Sequence, residues 1–244
     1  MTPPAAPGEH PPVVWITGAA GELGRHLVDA FHGSGWRVAA TTHRSPLATL
    51  RNGIFTTRVD VTHATSIDAG RTAIVEQFGR LDVLVHSAGL ARDSLITKMS
   101  LEDWEVGMNV NLRSAFLCSR SVAATMAQQR CGQIIFLSSF AAKRGHVGQS
   151  NYVAAKAGLI GLTQSLAKEL GPDNTQVNAI LPGVMPSRMT SSLNSEQLEE
   201  LKRSNALKRL NDPREVAKFI CFLAGMKNVS GQLFQLDSRI SRWS

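Results

Sequence analysis

Residues 13–24 read VVWITGAAGELG. Val13 to Thr17 is a short apolar run of the kind that forms a strand buried on both faces of a parallel sheet. It passes directly into Gly18, Gly21 and Gly24, and an amphipathic helical pattern follows to about His32, stopped by Gly33 and Gly35. The order strand, glycine turn, helix carries the meaning. Glycines permit the tight turn and let backbone N–H groups approach a pyrophosphate, while the helix N-terminus adds partial positive charge. The spacing is Gly-x-x-Gly-x-x-Gly instead of the commoner Gly-x-Gly-x-x-Gly, but the physical requirement is the same. Thr17 is placed to fix the loop through its hydroxyl.

Working outward, further strands are expected at 37–42, 54–59, 81–85, 134–137, 176–181 and 232–236. Helices are expected at about 66–78, 101–129, 150–170 and 213–225, the last opened by Asp212 as N-cap, Pro213 at N1 and Glu215 at N3. Alternating strands and helices predict right-handed crossovers and a parallel sheet covered on both faces. The fold class is therefore α/β: a single-domain, Rossmann-type, doubly wound parallel sheet of about seven strands over residues 13–244. Residues 1–12, MTPPAAPGEHPP, read as a disordered tail. Residues 187–204 are polar and Ser-rich, with a helix left open within them, as a loop that closes over a substrate would be, or as a plain surface excursion.

Composition bounds the function. The chain has 244 residues, 43% apolar and 18% charged, ordinary for a soluble globular protein. Net charge is +7, but the basic residues are scattered. No groove-reading motif or aromatic-interleaved basic patch points to nucleic acid. The excess fits either attraction to anionic ligands or a solvated basic face. No apolar run reaches membrane-spanning length. Cys118, Cys131 and Cys221 are few, odd in number and spaced unlike metal ligands, so free thiols in a reducing cytoplasm, with no metal, are expected.

The end of the second strand bears on the cofactor. An Asp or Glu there would accept hydrogen bonds from the ribose hydroxyls of NAD. The sequence has Thr41-Thr42-His43-Arg44 and no carboxylate. A basic, hydroxyl-bearing end of Thr42, His43 and Arg44 suits a 2′-phosphate, hence NADPH; a solvent-facing turn is the bland alternative. Asp60, at the end of the third strand, is placed to accept a hydrogen bond from an adenine amino group.

The stretch 150–161, SNYVAAKAGLIG, holds Tyr152 and Lys156 four residues apart. Its residues favour helix, where i and i+4 share a face. A phenol and an ammonium then point into the same space, and a nearby cation lowers a Tyr pKa. A phenol so tuned can act as a general acid or base. Tyr152 is the only Tyr in the chain. A chance pairing of a surface Lys with a half-buried aromatic is the alternative for this motif taken alone.

Taken together, TGAAGELG at 17–24, DV at 60–61, HSAG at 86–89, NVNL at 109–112, SS at 138–139, YVAAK at 152–156 and PG at 182–183 make the chain resemble the classical short-chain dehydrogenase/reductase family over residues 13–237. The resemblance implies a catalytic tetrad of Asn111, Ser139, Tyr152 and Lys156. Tyr152 is then the proton donor, Ser139 the hydrogen-bond donor to the reacting oxygen, Lys156 the group that tunes Tyr152 and binds the nicotinamide ribose, and Asn111 the holder of a relay water. It also implies cofactor contacts from Gly18, Gly21, Glu22, Leu23 and Gly24, from Asp60 and Val61, from Ser87, Ala88 and Gly89, and from Pro182, Gly183 and Val184, with Tyr152 and Lys156. Within the family, YVAAKAGLIGLTQSLAKEL and PGVMPSRMT look like bacterial 3-oxoacyl-[acyl-carrier-protein] reductases.

That likeness implies an NADPH-dependent ketoreductase acting on a 3-oxoacyl thioester, docking of an acyl carrier protein through Arg130, and a homotetramer or homodimer. Three positions depart from the family pattern. Asp173 replaces a second basic docking residue, His86-Ser87 replaces Asn-Asn, and Ser238-Arg239 replaces Gly-Gly after Asp237. His86 is expected to alter stability more than activity, a pH switch being the lesser reading. Ser238 and Arg239 put the expected subunit contact in question, because glycines permit backbone conformations that other residues dislike. The departures favour a dedicated secondary-metabolite ketoreductase or secondary-alcohol dehydrogenase as the alternative. A non-catalytic NADP(H)-binding protein is the remote one. The residues of the specificity segments, Leu90, Phe140, Val147, Val184, Met185 and Met189, suggest a partly apolar substrate pocket.

Overall fold

The computed structural model describes residues 11–43, 53–187, 190 and 194–240. Its strands are β1 (Val13–Thr17), β2 (Arg37–Thr42), β3 (Phe55–Arg58), β4 (Val83–His86), β5 (Gly132–Leu137), β6 (Thr175–Leu181) and β7 (Leu233–Gln235). Its helices are α1 (Glu22–Gly33), α2 (Ala64–Phe78), α3 (Leu101–Met108), α4 (Ser114–Gln129), α5 (Ala141–Arg144), α6 (Ser150–Leu170), α7 (Ser195–Arg203) and α8 (Pro213–Ala224). Every strand pairing is parallel, in the order β3-β2-β1-β4-β5-β6-β7.

Side chains alternate across a strand, so each apolar run feeds two cores. Val14, Ile16, Val38, Val85 and Ile135 meet Leu27 and Phe31 of α1 and Val216 and Ile220 of α8. Val13, Trp15, Leu84, Ile134 and Phe136 meet α2, α4 and α6 through Ile67, Ile74, Val122, Met126 and Leu159. This two-sided burial is why these strands are continuous apolar runs. The chain runs from β1 outward to β3, then returns to lay β4 on the other side of β1. The crevice between the ends of β1 and β4 is thus the topological switch point, where open α/β sheets bind ligands.

Three local features differ from the sequence reading, and a fourth takes up the helix it left open within 187–204. The helix expected over 101–129 contains a π-helical segment at Asn109–Arg113, with the Ser114 N–H bonded to the Asn109 carbonyl. Such widened turns recur at functional sites. Asp212 does cap α8, but its side chain accepts from the Arg214 N–H at 2.8 Å instead of pairing with Glu215. The segment 187–204 contains α7, opened by a capping box between Asn194 and Gln197, and Met189 lies outside the described residues. Pro11 and Pro12, read as tail, accept hydrogen bonds from Arg37 at 3.2 and 2.9 Å; the rest of that stretch lies outside the described residues.

Leu84 is fully buried in the middle of the sheet, and Ile96 is 72% exposed. Leu84→Ala is expected to lower the unfolding free energy by about 2–5 kcal/mol in a urea titration, and Ile96→Ala by less than about 0.5 kcal/mol.

Candidate active site

Gly18 has φ +64°, and a Cβ there would stand 2.9 Å from the Ala88 backbone. A Cβ on Gly24 would stand 2.3 Å from the Gly18 carbonyl oxygen. The glycines therefore let the β1 loop close on itself and on the loop after β4. The turn is held by Gly21 N–H to Gly18 O at 2.9 Å and Ala19 N–H to Thr41 O at 3.1 Å. No side chain caps α1, so the first-turn amides, carried by Glu22, Leu23 and Gly24, are available to an anion. A narrow backbone cradle ending in an uncapped helix fits a pyrophosphate.

Thr17 Oγ1 accepts from the Ala88 N–H at 3.3 Å and lies 3.1 Å from His86 Nδ1. His86 Nε2 lies 2.9 Å from Ser114 Oγ, which donates to the Val110 carbonyl at 2.6 Å. Ser114 has spent its one hydrogen, so His86 must donate from Nε2 and accept at Nδ1 from Thr17. His86 is buried, and desolvation, aided by the Lys156 charge, lowers its pKa to about 3. It stays a neutral structural bridge, and the expectation of a pH switch near neutrality is corrected. Ser87, Ala88 and Gly89 follow at the mouth of the crevice. Gly89 sits so that an added Cβ would lie 3.0 Å from Asn111 Oδ1 and 3.4 Å from Lys156 Nζ.

At the far end of the crevice, His43 follows Thr42. His43 Nε2 is 3.3 Å and His63 Nδ1 3.2 Å from Asp60 Oδ2. Thr62 donates to Asp60 Oδ1 from its N–H at 2.9 Å and its hydroxyl at 2.7 Å. Burial opposes the Asp60 charge, but the Thr62 bonds and both histidines hold its pKa below the ordinary value. Asp60 thus accepts from Thr62 at Oδ1 and faces both histidines at Oδ2. Val61 packs against the core beneath. Arg44 lies outside the described residues. Arg58 was missed by sequence reading. Strand register sets it opposite Thr42, and its Nε donates to the His43 carbonyl at 2.6 Å. Only the β2–β3 pairing reveals that neighbourhood.

Asn111, Ser139, Tyr152 and Lys156 come from the π segment, the turn after β5 and α6, and they gather behind Gly89, with Asn111 and Lys156 buried. The Ser139 side chain stands beside that of Tyr152, close enough to hold its pKa down. Ser139 Oγ also accepts from the Ala141 N–H at 3.2 Å, leaving its own hydrogen to donate. Ser138 is turned away, donating to the Lys156 carbonyl at 2.8 Å. Lys156 Nζ donates to the Leu137 carbonyl at 2.7 Å and lies 5.6 Å from the Tyr152 ring centroid.

Desolvation raises the Tyr152 pKa above its ordinary value; the Ser139 bond lowers it, and Asp93 raises it further. The expectation that Lys156 brings it below that value is corrected for this state: burial is the largest influence, and the charge that shifts it is that of Asp93. Burial also lowers Lys156 to about 8. Asn111 is fully buried, donating to the Leu90 and Gly107 carbonyls at 2.8 and 2.9 Å and accepting from the Leu90 N–H at 3.0 Å. Both amide hydrogens are committed, so its side chain has none to donate to a relay water.

Asn151, another residue missed in the sequence, holds the wall of the cleft. It donates to the Arg92 and Asp103 carbonyls at 3.0 and 3.1 Å and accepts from the Tyr152 N–H at 2.7 Å. Its polarity and position before Tyr152 were the available signal. Pro182, Gly183 and Val184 close the far side of the crevice. Asn211 Nδ2 donates to the Pro182 and Leu236 carbonyls at 2.6 and 2.8 Å, and Asn211 N–H to Val184 O at 2.8 Å. Ser238 and Arg239 adopt no left-handed backbone and fold back on their own chain. The Leu207 N–H donates to Ser238 Oγ at 3.1 Å, and Arg239 pairs with Asp237.

A doubly wound sheet with an anion cradle at its switch point, and beside it the half-buried Ser139 and Tyr152 against the buried Lys156, defines an oxidoreductase site of the Rossmann class. The chain belongs to the short-chain dehydrogenase/reductase family, whose members act on C=O and CH–OH groups. A family model described as Enoyl-(Acyl carrier protein) reductase matches residues 18–238. The 3-oxoacyl-[acyl-carrier-protein] reductase of Synechocystis sp. is 36% identical over 237 residues, covering 92% of this chain and 95% of its own. That of Vibrio cholerae is 36% identical over 217 residues, 87% of this chain and 89% of its own. That of Thermotoga maritima is 42% identical over 166 residues, 67% and 68%.

Because His86 is held neutral with a pKa of about 3 against about 6.5 when unfolded, unfolding takes up a proton below that higher value. Its contribution to stability is therefore full above about pH 6.5 and is lost progressively as pH falls toward 3, by up to about 1.4 kcal/mol per pH unit. In denaturant titrations between pH 7 and 4, His86→Asn should show a shallower acid loss than the wild type; equal slopes would count against this role. A phenolate absorbance titration of the free protein should give a midpoint above about 10, and a midpoint below it would contradict the burial of Tyr152.

Proposed function

We propose that the protein is an NADPH-dependent ketoreductase of 3-oxoacyl thioesters. The observation that carries this reading is the placing of Ser139 beside Tyr152, with the buried Lys156 5.6 Å from the Tyr152 ring on α6. The glycine cradle of Gly18, Gly21 and Gly24, with the amides of Glu22 and Leu23, would hold the pyrophosphate. Thr42, His43, Arg44 and Arg58 would face the 2′-phosphate, with Asp60 and Val61 at the adenine. Ser87, Ala88, Gly89, Pro182, Gly183, Val184, Tyr152 and Lys156 would border the nicotinamide ribose and ring. When bound, the nicotinamide supplies a hydride to the carbonyl carbon.

The residues of the chain handle the oxygen. Tyr152 is protonated at neutral pH, since burial raises its pKa, and it donates that proton as charge develops on the oxygen. Ser139, whose hydrogen is not taken up by the turn that holds it, donates a hydrogen bond to the same oxygen and stabilises the charge. Lys156, at about 8, is mostly an ammonium at neutral pH and resupplies the proton. The side chain of Asn111 fastens the π segment to Leu90, so a relay water would take its hydrogen bond from the backbone there.

One observation favours the second reading, a dedicated ketoreductase whose substrate is not borne on a carrier protein. Arg130, the expected docking residue, is paired with Asp173 at 2.9 Å. Such an exposed pair is weak, but the Asp173 charge offsets the one positive charge Arg130 would offer to an acidic partner. For self-association, an open apolar groove of about 600 Å³ between α4 and α6, lined by Met108, Leu112, Phe116 and Leu162, supports a homodimer or homotetramer. Cys118, Cys131 and Cys221 are free thiols, in keeping with a cytoplasmic setting. Among the described residues no helix is long and apolar enough to cross a membrane.

Tyr152→Phe should lower turnover of acetoacetyl-CoA with NADPH by about 10²–10⁴-fold while leaving NADPH binding, read by nucleotide fluorescence, within about twofold of the wild type. Retained turnover overturns the proton-donor role. In the same assay NADPH should be oxidised faster than NADH, and faster NADH oxidation refutes the 2′-phosphate assignment. Turnover of simple ketones but not of the thioester would move the assignment to the second reading.

A further inference from the structure

Arg239 stands at a position where the family resemblance expects glycine, yet its side chain is drawn inward. Its side chain is 12% exposed and that of Asp237 is 2% exposed. The guanidinium lies flat enough over Phe140 to put Cζ 3.7 Å from the ring centroid. Nε donates to Asp237 Oδ2 at 2.6 Å, and Nη2 forms an ion pair with the same oxygen. Asp237 Oδ1 accepts from the Arg239 N–H at 3.1 Å and from Gln235 Nε2 at 2.7 Å, and Gln235 also holds the Arg239 carbonyl at 2.7 Å. A buried ion pair with this many hydrogen-bond partners has one geometry, because the planar fork leaves little freedom.

That rigid unit touches the site from two sides. Asp237 Cβ lies 2.6 Å from where a Cβ on Gly183 would be, against the loop at the end of β6. Phe140 immediately follows Ser139, and its ring is 8% exposed. Arg144 lies 5.6 Å from the same ring. The turn from Ser139 to Arg144 is closed by Ala142 N–H to Ser139 O at 3.1 Å and Lys143 N–H to Phe140 O at 3.0 Å. These bonds tie Ser139 and Phe140 into one turn, through which the place of the Phe140 ring bears on that of Ser139 Oγ.

We propose that Arg239 is a positioning residue for Ser139: clamped to Asp237 and stacked on Phe140, it fixes the turn that holds the Ser139 hydroxyl on Tyr152. The proposal deepens the ketoreductase reading and rests on Ser139 and Tyr152 forming its proton-donating pair. Arg239 itself touches no reacting atom. A purely architectural arginine would stabilise the C-terminal end of the chain without reaching Tyr152.

Tyr152 is the sole tyrosine, so its phenolate absorbance reports this one hydrogen bond and needs no turnover. The test compares wild type, Ser139→Ala, Arg239→Ala and the double variant, over the pH range in which the circular dichroism is unchanged. The Ser139 bond holds the Tyr152 midpoint down, so Ser139→Ala should raise it. Arg239→Ala should raise it in the same direction, and the double variant no further than Ser139→Ala alone. In turnover assays Arg239→Ala should lower kcat about tenfold, the scale of one lost hydrogen bond to developing charge, with KM for NADPH unchanged. Its effect should vanish in the Ser139→Ala background. If Arg239→Ala fails to fold, Phe140→Leu, which keeps an apolar side chain but removes the stacking plane, should give the same pattern. A wild-type midpoint in Arg239→Ala or Phe140→Leu, or losses in kcat that add to those of Ser139→Ala, overturns the proposal. A wild-type midpoint in Ser139→Ala overturns the Ser139–Tyr152 pairing itself, and the proposal with it.

Discussion

The loops after β1 and β4 meet at a single tight contact, Gly18 against the Ala88 backbone, and the site depends on that approach. A Cβ on Gly18 would stand 2.9 Å from Ala88, closer than non-bonded carbon atoms come. The contact is held in place by hydrogen bonds, not by packing alone. Ala88 N–H reaches Thr17, Thr17 reaches His86, His86 reaches Ser114, and Ser114 reaches the Val110 carbonyl. Two central strands and the widened turn of the long helix are thereby tied together in the dry interior. Every member of the chain has a partner, the condition under which a buried polar network rigidifies instead of destabilising. Its far end leaves Asn111 one residue away, facing Gly89 and Lys156.

The same exclusion of water sets the chemistry of the site. Burial disfavours charge, so it moves Tyr152 and Lys156 toward their neutral forms: the phenol upward and the ammonium down to about 8. In the free state the lysine is therefore the stronger acid of the two. Tyr152 keeps its proton until negative charge appears beside it, which suits a donor to a carbonyl oxygen. The Leu137 carbonyl holds Lys156 at 2.7 Å without neutralising it. Charge arriving in the cleft would find both groups already oriented, with no water to reorganise.

The departures from the family pattern lie on two sides of the molecule. At one, Asp173 occupies the Arg130 guanidinium on the surface, where solvent screens the pair and its consequence is for a partner's docking. At the other, Arg239 is pulled beneath the surface onto Phe140, where screening is weak and its consequence is for the geometry next to Ser139. The two cases differ because a charge pair in water is weak and adaptable, whereas a buried one is directional and costly to break. Neither Ser238 nor Arg239 needs the left-handed backbone that a glycine there would permit. The replacement changes side-chain contacts and leaves the path of the chain within ordinary backbone space.

The sequence by itself determined the alternation of strands and helices, the doubly wound class, the glycine turn and the Tyr152–Lys156 pair. Each of these rests on local chemistry: apolar runs of strand length, glycine after a strand, and the helical period that sets i beside i+4. Only the tertiary structure decided the interruption at Asn109–Arg113, the engagement of Asp60 by two histidines, the nearness of Arg58 to Thr42, the orientation of Ser139 over Ser138, and the burial of Arg239. It also reversed the expected direction of the Tyr152 shift. These depend on which residues meet across the sheet and on how much water is left between them. Desolvation and hydrogen bonding act through space, between residues that sequence spacing does not relate.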